Sequence, residues 1–265
     1  MSPSSKPQTI AIIVILIAVM GIGAFAGYTL INSPSSPEDS SIILTVLDNA
    51  GVLIEADGVR IYIDPISLSS DYSSLPADAI LITHPHGDHY ESACIEMLQK
   101  PSTVNIFPYN MSTEIALHDG VGVNPLDSVQ VGGINITAYY MYTEQWIDGV
   151  RYASHPPEAN WTGYIVDING FKIFHAGDSK NIAEYEQITG QMDVVLLPLG
   201  PGCQTMTGPE VVDAISKLQP RYFIPIHTTD LDAELFVGAN ADDIEDCSDC
   251  ISIWVKHFES YTFEV

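Results

Sequence analysis

The hydrophobic pattern of the chain changes period several times, and the changes mark its elements. Residues 42–47 and 51–56 are mostly apolar and β-branched, and Val59-Arg60-Ile61-Tyr62-Ile63 resumes the pattern after Asp57-Gly58. Two such runs joined by Asp-Gly predict a hairpin. Asp64-Pro65 ends the second strand. Residues 79–83, apolar through Ile82, read as a short buried strand. Residues 91–100 have helical spacing, with Ile95 and Leu98 on one face, and stop at Pro101. Residues 104–107 predict a strand and 112–118 a helix. Gly132-Gly133 and Asn169-Gly170 each separate two strand-like runs and predict two further hairpins. Residues 193–197 read as a buried strand, 209–218 as a helix and 222–226 as a last central strand. Residues 251–254 and 261–264 suit sheet edges. Hairpins, then alternating strands and helices, then hairpins predict an α+β domain with two sheets packed face to face and helices outside.

Residues 10–31 break this pattern. They carry no charge and are long enough for a helix to cross the roughly 30 Å apolar layer of a membrane. Lys6 precedes them and Arg60 is the next basic residue, so the positive-inside tendency puts everything downstream outside the cytoplasm. The expectation is a single-pass cell-membrane protein with an extracytoplasmic domain. The alternative is a secreted domain released by cleavage near Ala24-Phe25-Ala26. The organisation expected is a tail at 1–9, an anchor or signal at 10–31, a Ser/Pro linker at 32–41 and one domain at 42–265.

Charge narrows the partners. The chain has 9 Lys+Arg against 34 Asp+Glu, a formal net charge of -25. Such a surface repels nucleic-acid phosphates, so a small-molecule substrate is expected and nucleic acid is not. The scattered acids read as adaptation to a salty milieu ahead of a cation-binding role. The stretch 230–249 concentrates acids without a base and reads as a solvated loop or helix face. Cys247-Ser248-Asp249-Cys250 has CxxC spacing but no second such pair, which disfavours a zinc ribbon. A chance pair or a local disulfide remains. Oligomeric state is not legible.

The chemistry centres on Thr83-His84-Pro85-His86-Gly87-Asp88-His89, directly after the apolar run of residues 79–82. His84 and His86 alternate by two and can point to one side of extended backbone. Gly87 lets the chain turn before Asp88 and His89. Imidazoles and a carboxylate at this density suit Zn, Mn or Fe(II). His155, Asp178 and His227 lie at or near predicted strand ends and complete a ligand set large enough for two ions. Leftover His118 and His257 read as surface residues, and His175 as a possible support for Asp178.

The pattern His-x-His-x-Asp-His, with Gly177-Asp178-Ser179 and the late His227, resembles the metallo-β-lactamase superfamily. Within it the chain is most similar to lactonase-like hydrolases of the ascorbate phosphate lactonase type. The resemblance spans roughly residues 44–228 and includes the runs 59–65, 160–164, 174–179 and 196–200. It implies an αββα sandwich of two mixed β-sheets. It also implies that His84, His86 and His155 hold one metal, that Asp88, His89 and His227 hold the other, and that Asp178 bridges them. The chain departs from the family where relatives read Gly-His-Ala and this sequence reads Asp48-Asn49-Ala50.

The function expected is hydrolysis of a small ester, lactone or phosphoester by water activated between two divalent ions, zinc ahead of Mn or Fe. Asp88 is the expected catalytic group, orienting that water and later carrying a proton. A phosphodiesterase or nuclease of the same superfamily is an alternative, as is a non-catalytic surface metal-binding protein.

Overall fold

The computed structural model describes residues 41–200 and 202–265. The expected tail, anchor and linker lie outside the described residues, except Ser41. So does the side chain of Cys247, and with it the expected Cys247–Cys250 pairing.

The chain begins β1 (Ser41–Val46), β2 (Val52–Ala56), β3 (Val59–Ile63), β4 (Ala79–Leu81), α1 (Ser92–Leu98), β5 (Val104–Pro108), α2 (Ser112–Leu117) and β6 (Val121–Val123). It continues β7 (Ser128–Val131), β8 (Ile134–Tyr140), β9 (Gln145–Ile147), β10 (Val150–Tyr152), β11 (Thr162–Ile168) and β12 (Phe171–His175). It ends β13 (Val194–Pro198), α3 (Gly208–Leu218), β14 (Tyr222–Ile226), α4 (Asp230–Ser248), β15 (Ile251–Ser252) and β16 (Ser260–Glu264). One sheet has the order β16-β1-β2-β3-β4-β5-β6, the other β15-β14-β13-β12-β11-β8-β7. Both are mixed. In the first, β3 through β6 are parallel neighbours and the remaining pairs antiparallel.

Side-chain alternation builds the layers. Ile61 and Ile63 face the other sheet, where Ile136, Val166, Ile173 and Leu196 meet them. Tyr62, Ile80 and Phe107 face the opposite way, onto Ile95 and Leu98 of α1. Phe174, Val195 and Leu197 leave the second sheet outward, onto Val211, Ala214, Ile215 and Leu218 of α3. Both faces of each sheet are therefore covered, and central strands read as continuous apolar runs. The result is the α+β sandwich expected, helix on sheet on sheet on helix.

Three predicted hairpins are present. Asp57 and Gly58 have φ of 52° and 74°, and Asn169 and Gly170 have 52° and 97°. Two consecutive positive φ values make the turn whose twist matches the strands, and Asp, Asn and Gly tolerate them. Gly132-Gly133 joins β7 to β8 in the same way. The acidic stretch 230–249 is mostly the helix α4, started by Thr229, whose Oγ1 accepts from Asp232 N at 3.2 Å.

The expected membrane placement is corrected. Among the described residues no helix is long and apolar enough to cross a membrane. Residues 10–31, on which that expectation rested, lie outside them. Neither the anchored nor the secreted placement is retained.

Candidate metal centre

Strand ends supply the site. His84, His86, Asp88 and His89 follow β4, and His155 lies between β10 and β11. Asp178 follows β12 and His227 follows β14; these strands flank β13 and all three run parallel, so both residues leave the same edge of the sheet. Gly177 makes the turn into Asp178 at φ 56°. A Cβ there would meet Met141 Sδ at 2.5 Å and Thr83 Cβ at 3.1 Å, so only glycine fits.

All the expected ligands converge. The ligand atoms of His84, His86 and His155 lie within 4.8 Å of one another, as do those of His84, Asp88 and His89, and those of His89, Asp178 and His227. Asp178 stands between the groups. Its Oδ1 is 3.1 Å from His89 Nε2, and its Oδ2 is 3.4 Å from His227 Nε2, 3.5 Å from His155 Nε2 and 3.9 Å from His84 Nε2.

Hydrogen-bond arithmetic places a proton on Nδ1 of three imidazoles. Thr83 Oγ1 donates to Asp64 Oδ2 at 2.6 Å, so the 3.0 Å contact with His84 must have His84 Nδ1 as donor. Ser154 Oγ donates to the Cys203 carbonyl oxygen, so His155 Nδ1 donates to Ser154 Oγ at 3.0 Å. His89 Nδ1 donates to Asp64 Oδ2 at 2.8 Å. Each ring thus presents Nε2 to the centre.

Nε2 of His84 and of His155 face each other at 3.2 Å. Burial, joined by the neighbouring imidazoles, holds His84 well below its ordinary pKa, and burial holds His155 down to about 4. Both rings are therefore neutral near pH 7, and two lone pairs point at each other. Among the described residues, His89 Nε2, His227 Nε2 and both oxygens of Asp178 are buried without a hydrogen-bond partner. The 3.1 Å approach of His89 to Asp178 lacks hydrogen-bond alignment. Burial opposes a charged His89, but Asp178 and Asp64 overcome it and push its pKa up to about 10. The site carries a buried carboxylate, Asp178, that demands positive charge, and on His84 and His155 lone pairs that demand an electron-pair acceptor. A divalent cation satisfies both, and the donor set fits it.

Residues 43–227 match the model of the beta-lactamase superfamily domain. The chain belongs to that superfamily. A UPF0173 metal-dependent hydrolase from Thermococcus kodakarensis is 31% identical over 197 residues, covering 68% of this chain and 82% of the relative. One from Staphylothermus marinus is 34% identical over 194 residues, covering 70% and 78%. These matches place the chain among the metal-dependent hydrolases of the superfamily, and the expected lactonase-like subgroup is not distinguished by them. A metallo hydrolase structure from Ignicoccus hospitalis has a TM-score of 0.68 at 23% identity, covering 85% of this chain and 100% of that one. The metallo-beta-lactamase fold protein YhfI from Bacillus subtilis has a TM-score of 0.61 at 12% identity, covering 84% and 100%. At these identities the structures show the shared fold alone.

Several residues packed around this centre escaped the sequence reading. Asp64 read as a strand terminator, yet it is fully buried and accepts from Thr83 N at 2.8 Å, Thr83 Oγ1 and His89 Nδ1. The available signal was a carboxylate directly after the apolar run Ile61-Tyr62-Ile63 at a strand end. Trp161 packs its ring 5.3–5.5 Å from those of His84, His86 and His155. Cys203 brings its Sγ within 4.8 Å of the ligand atoms of Asp88 and His227. Nothing in its sequence context marked it.

The leftover histidines are also placed. His118 is buried, not on the surface, stacked 6.0 Å from Phe107 with Nε2 3.1 Å from Tyr90 Oη. His257 is partly buried against Asp230, at 3.0 Å. His175 is fully buried and donates from Nε2 to Ala50 O at 2.7 Å, while its Nδ1 accepts from Gly177 N at 3.1 Å. It ties the Asp48-Asn49-Ala50 segment to the turn that carries Asp178. Asn49 Nδ2 in turn donates to Asp88 O at 2.9 Å. A cavity of about 920 Å³ opens beside His227, walled by Asp48, Asn49, Asp230, Asp232 and Phe236, with no Lys or Arg among the described residues that line it.

Proposed function

We propose that this metal-dependent hydrolase binds two divalent ions and cleaves a small neutral or amine-bearing ester or lactone. The facing Nε2 atoms of His84 and His155, 3.2 Å apart, carry the reading, because a shared cation turns their repulsion into two bonds. His84, His86 and His155 would hold one ion, Asp88, His89 and His227 the other, with Asp178 reaching both. Imidazole-rich ligation favours zinc, with Mn or Fe(II) the alternatives. Bound there, the ions supply a Lewis acid and a water acidified toward neutral pH.

The chain's own residues do the rest. Asp64, Thr83 and Ser154 hold His89, His84 and His155 in the required tautomers. The Asp88 side chain is 45% exposed, unlike the fully buried Asp178. It is therefore the carboxylate able to meet substrate, orient the attacking water and carry its proton to the leaving oxygen. The cavity beside His227 receives the substrate. Asp48, Asp230 and Asp232 in its wall, without a Lys or Arg, disfavour a phosphoester and favour a neutral or amine-bearing group.

Metal analysis of the purified protein, followed by ester, lactone and phosphodiester panels with and without chelator, tests this. The expected result is about two ions per chain, ester or lactone turnover abolished by chelation, and loss of both metal and turnover in a His86→Ala, Asp88→Ala double variant. Unchanged metal content in that variant would sink the assignment. Phosphodiester turnover without ester turnover would favour the phosphodiesterase reading instead.

A further inference from the structure

We infer that Cys203 is an additional ligand at the mouth of the metal centre, adding a thiolate to the ion held by Asp88 and His227. The inference rests on the metal-centre reading and extends it by one residue.

Three ligand atoms of different chemistry meet here. Cys203 Sγ, a carboxylate oxygen of Asp88 and an imidazole nitrogen of His227 all lie within 4.8 Å of one another. When such atoms share one ion their separations close to roughly 3–4 Å, given bonds of about 2.0–2.3 Å. A shift of about 1 Å by an exposed thiol suffices. The second observation is His227 itself. Its side chain is 10% exposed, and Nε2 has no hydrogen-bond partner among the described residues. That nitrogen is aimed at the space the thiol borders.

The loop is built to hold the thiol there. Cys203 and Gln204 both have positive φ, 49° and 62°. Neither residue adopts this region cheaply, so the surrounding bonds must impose it. Gln204 Oε1 accepts from Ser154 N at 2.7 Å, and the Cys203 carbonyl accepts from Ser154 Oγ. Thr205 Oγ1 closes the turn onto Gly200 O and Gly202 O. Ser154 is also the acceptor that orients His155. One residue therefore anchors both a ligand ring and the thiol loop. Cys94 offers the contrast, being buried with Sγ donating to Glu91 Oε2 at 3.3 Å, away from the centre.

On ligation the Sγ–H proton leaves to solvent as the sulfur–metal bond forms. A thiolate biases that position toward zinc and against manganese. It also makes the loaded centre responsive to thiol-modifying reagents, because alkylated sulfur is a far weaker ligand.

The test is cobalt(II) substitution of the full-length protein. Wild type is expected to show both visible ligand-field bands and a near-ultraviolet thiolate-to-cobalt charge-transfer band. Cys203→Ser is expected to lose the charge-transfer band and keep the visible bands. In wild type, zinc is expected to slow iodoacetamide labelling of Cys203, read by peptide mass spectrometry, by about tenfold. That measurement stands even if the variant misfolds. Cobalt bound without a charge-transfer band, a band that survives Cys203→Ser, or labelling unaffected by zinc overturns the thiolate ligand alone. Absence of any cobalt uptake overturns the metal-centre reading and the thiolate with it.

Discussion

Asp64 Oδ2 stands 2.8 Å from Nδ1 of His89, and both side chains are fully buried. The pair decides which way His89 points. Oδ2 accepts the hydrogen bond from Nδ1–H, and Nε2 is left for the centre. An amide in place of this carboxyl keeps an oxygen for Thr83 N but turns an NH2 donor toward Thr83 Oγ1 and His89 Nδ1, which both donate to Oδ2. Asp64→Asn is therefore expected to fold and to weaken zinc binding by about 10–100-fold, the usual cost of losing such a support. Competition with a chromophoric chelator measures it. Unaltered affinity would remove Asp64 from this role.

Removing metal should lower thermal stability. The ion-free centre leaves His89 Nε2, His227 Nε2 and both Asp178 oxygens buried without hydrogen-bond partners among the described residues. Zinc at a thousandfold over its dissociation constant stabilises the native state by about 4 kcal/mol. For a chain of this size that shifts the melting temperature by roughly 8–16 °C. Calorimetry of chelated and zinc-reloaded protein checks it; an identical melting temperature would contradict metal binding by the native state.

Much of this was legible because local chemistry left few alternatives. Asp57-Gly58 and Asn169-Gly170 announce hairpins because few other pairs take two positive φ values together. His84, His86, Asp88 and His89 announce a metal because a packed core tolerates no such cluster without one. Tertiary partners were not legible. Asp64-Pro65 terminates a strand whether or not the Asp is buried, and only the fold brings His89 to it. His118 looked like an ordinary helix-end residue until Phe107 and Tyr90 closed over it. The β9–β10 hairpin is too short and too exposed, with Trp146 and Ile147 at 65% and 50%, to leave a periodic signal, although its Asp148-Gly149 turn, with φ of 50° and 78°, carries the same Asp-Gly mark as Asp57-Gly58. Residues 10–31 satisfied a membrane template on composition alone; they lie outside the described residues, among which no helix is long and apolar enough to cross a membrane.

Asp78 sets an acid limb of stability away from the metal centre. Its Oδ1 is 2.6 Å from Lys100 Nζ, and its Oδ2 accepts from Arg60 N at 2.9 Å. Burial alone would raise its pKa, but the Lys100 ammonium and the Arg60 N–H overcome it, so the folded value is lowered. The folded state then binds fewer protons than the unfolded one. The contribution is present in full above the unfolded aspartate value of about 3.9 and is lost as pH falls through the folded value. The pair is partly exposed, so about 0.5–1 kcal/mol is expected. Urea midpoints of wild type and Asp78→Asn should differ at pH 7 and converge in acid. A difference that persists unchanged in acid would contradict the linkage.

Gly163 in β11 tests whether the strand pair that positions Asp178 is as rigid as its packing implies. A Cβ at Gly163 would lie 2.5 Å from His175 O and 3.3 Å from the backbone of Ala176. Those are main-chain atoms of the segment that leads into Gly177 and Asp178, and they cannot swing aside as a side-chain tip can. His175 is further fixed by its own bond to Ala50. Gly163→Ala is expected to cost about 1–3 kcal/mol by overpacking and to reduce zinc affinity as Asp178 shifts. Gly238 in α4 is the control, because a Cβ there meets nothing within 4 Å. Gly238→Ala should raise stability by about 0.5–1 kcal/mol and leave zinc untouched. Urea unfolding and zinc titration of both variants separate the cases. If Gly163→Ala matches wild type in both, the β11–β12 pair yields to the added methyl and does not hold Asp178 rigidly in place.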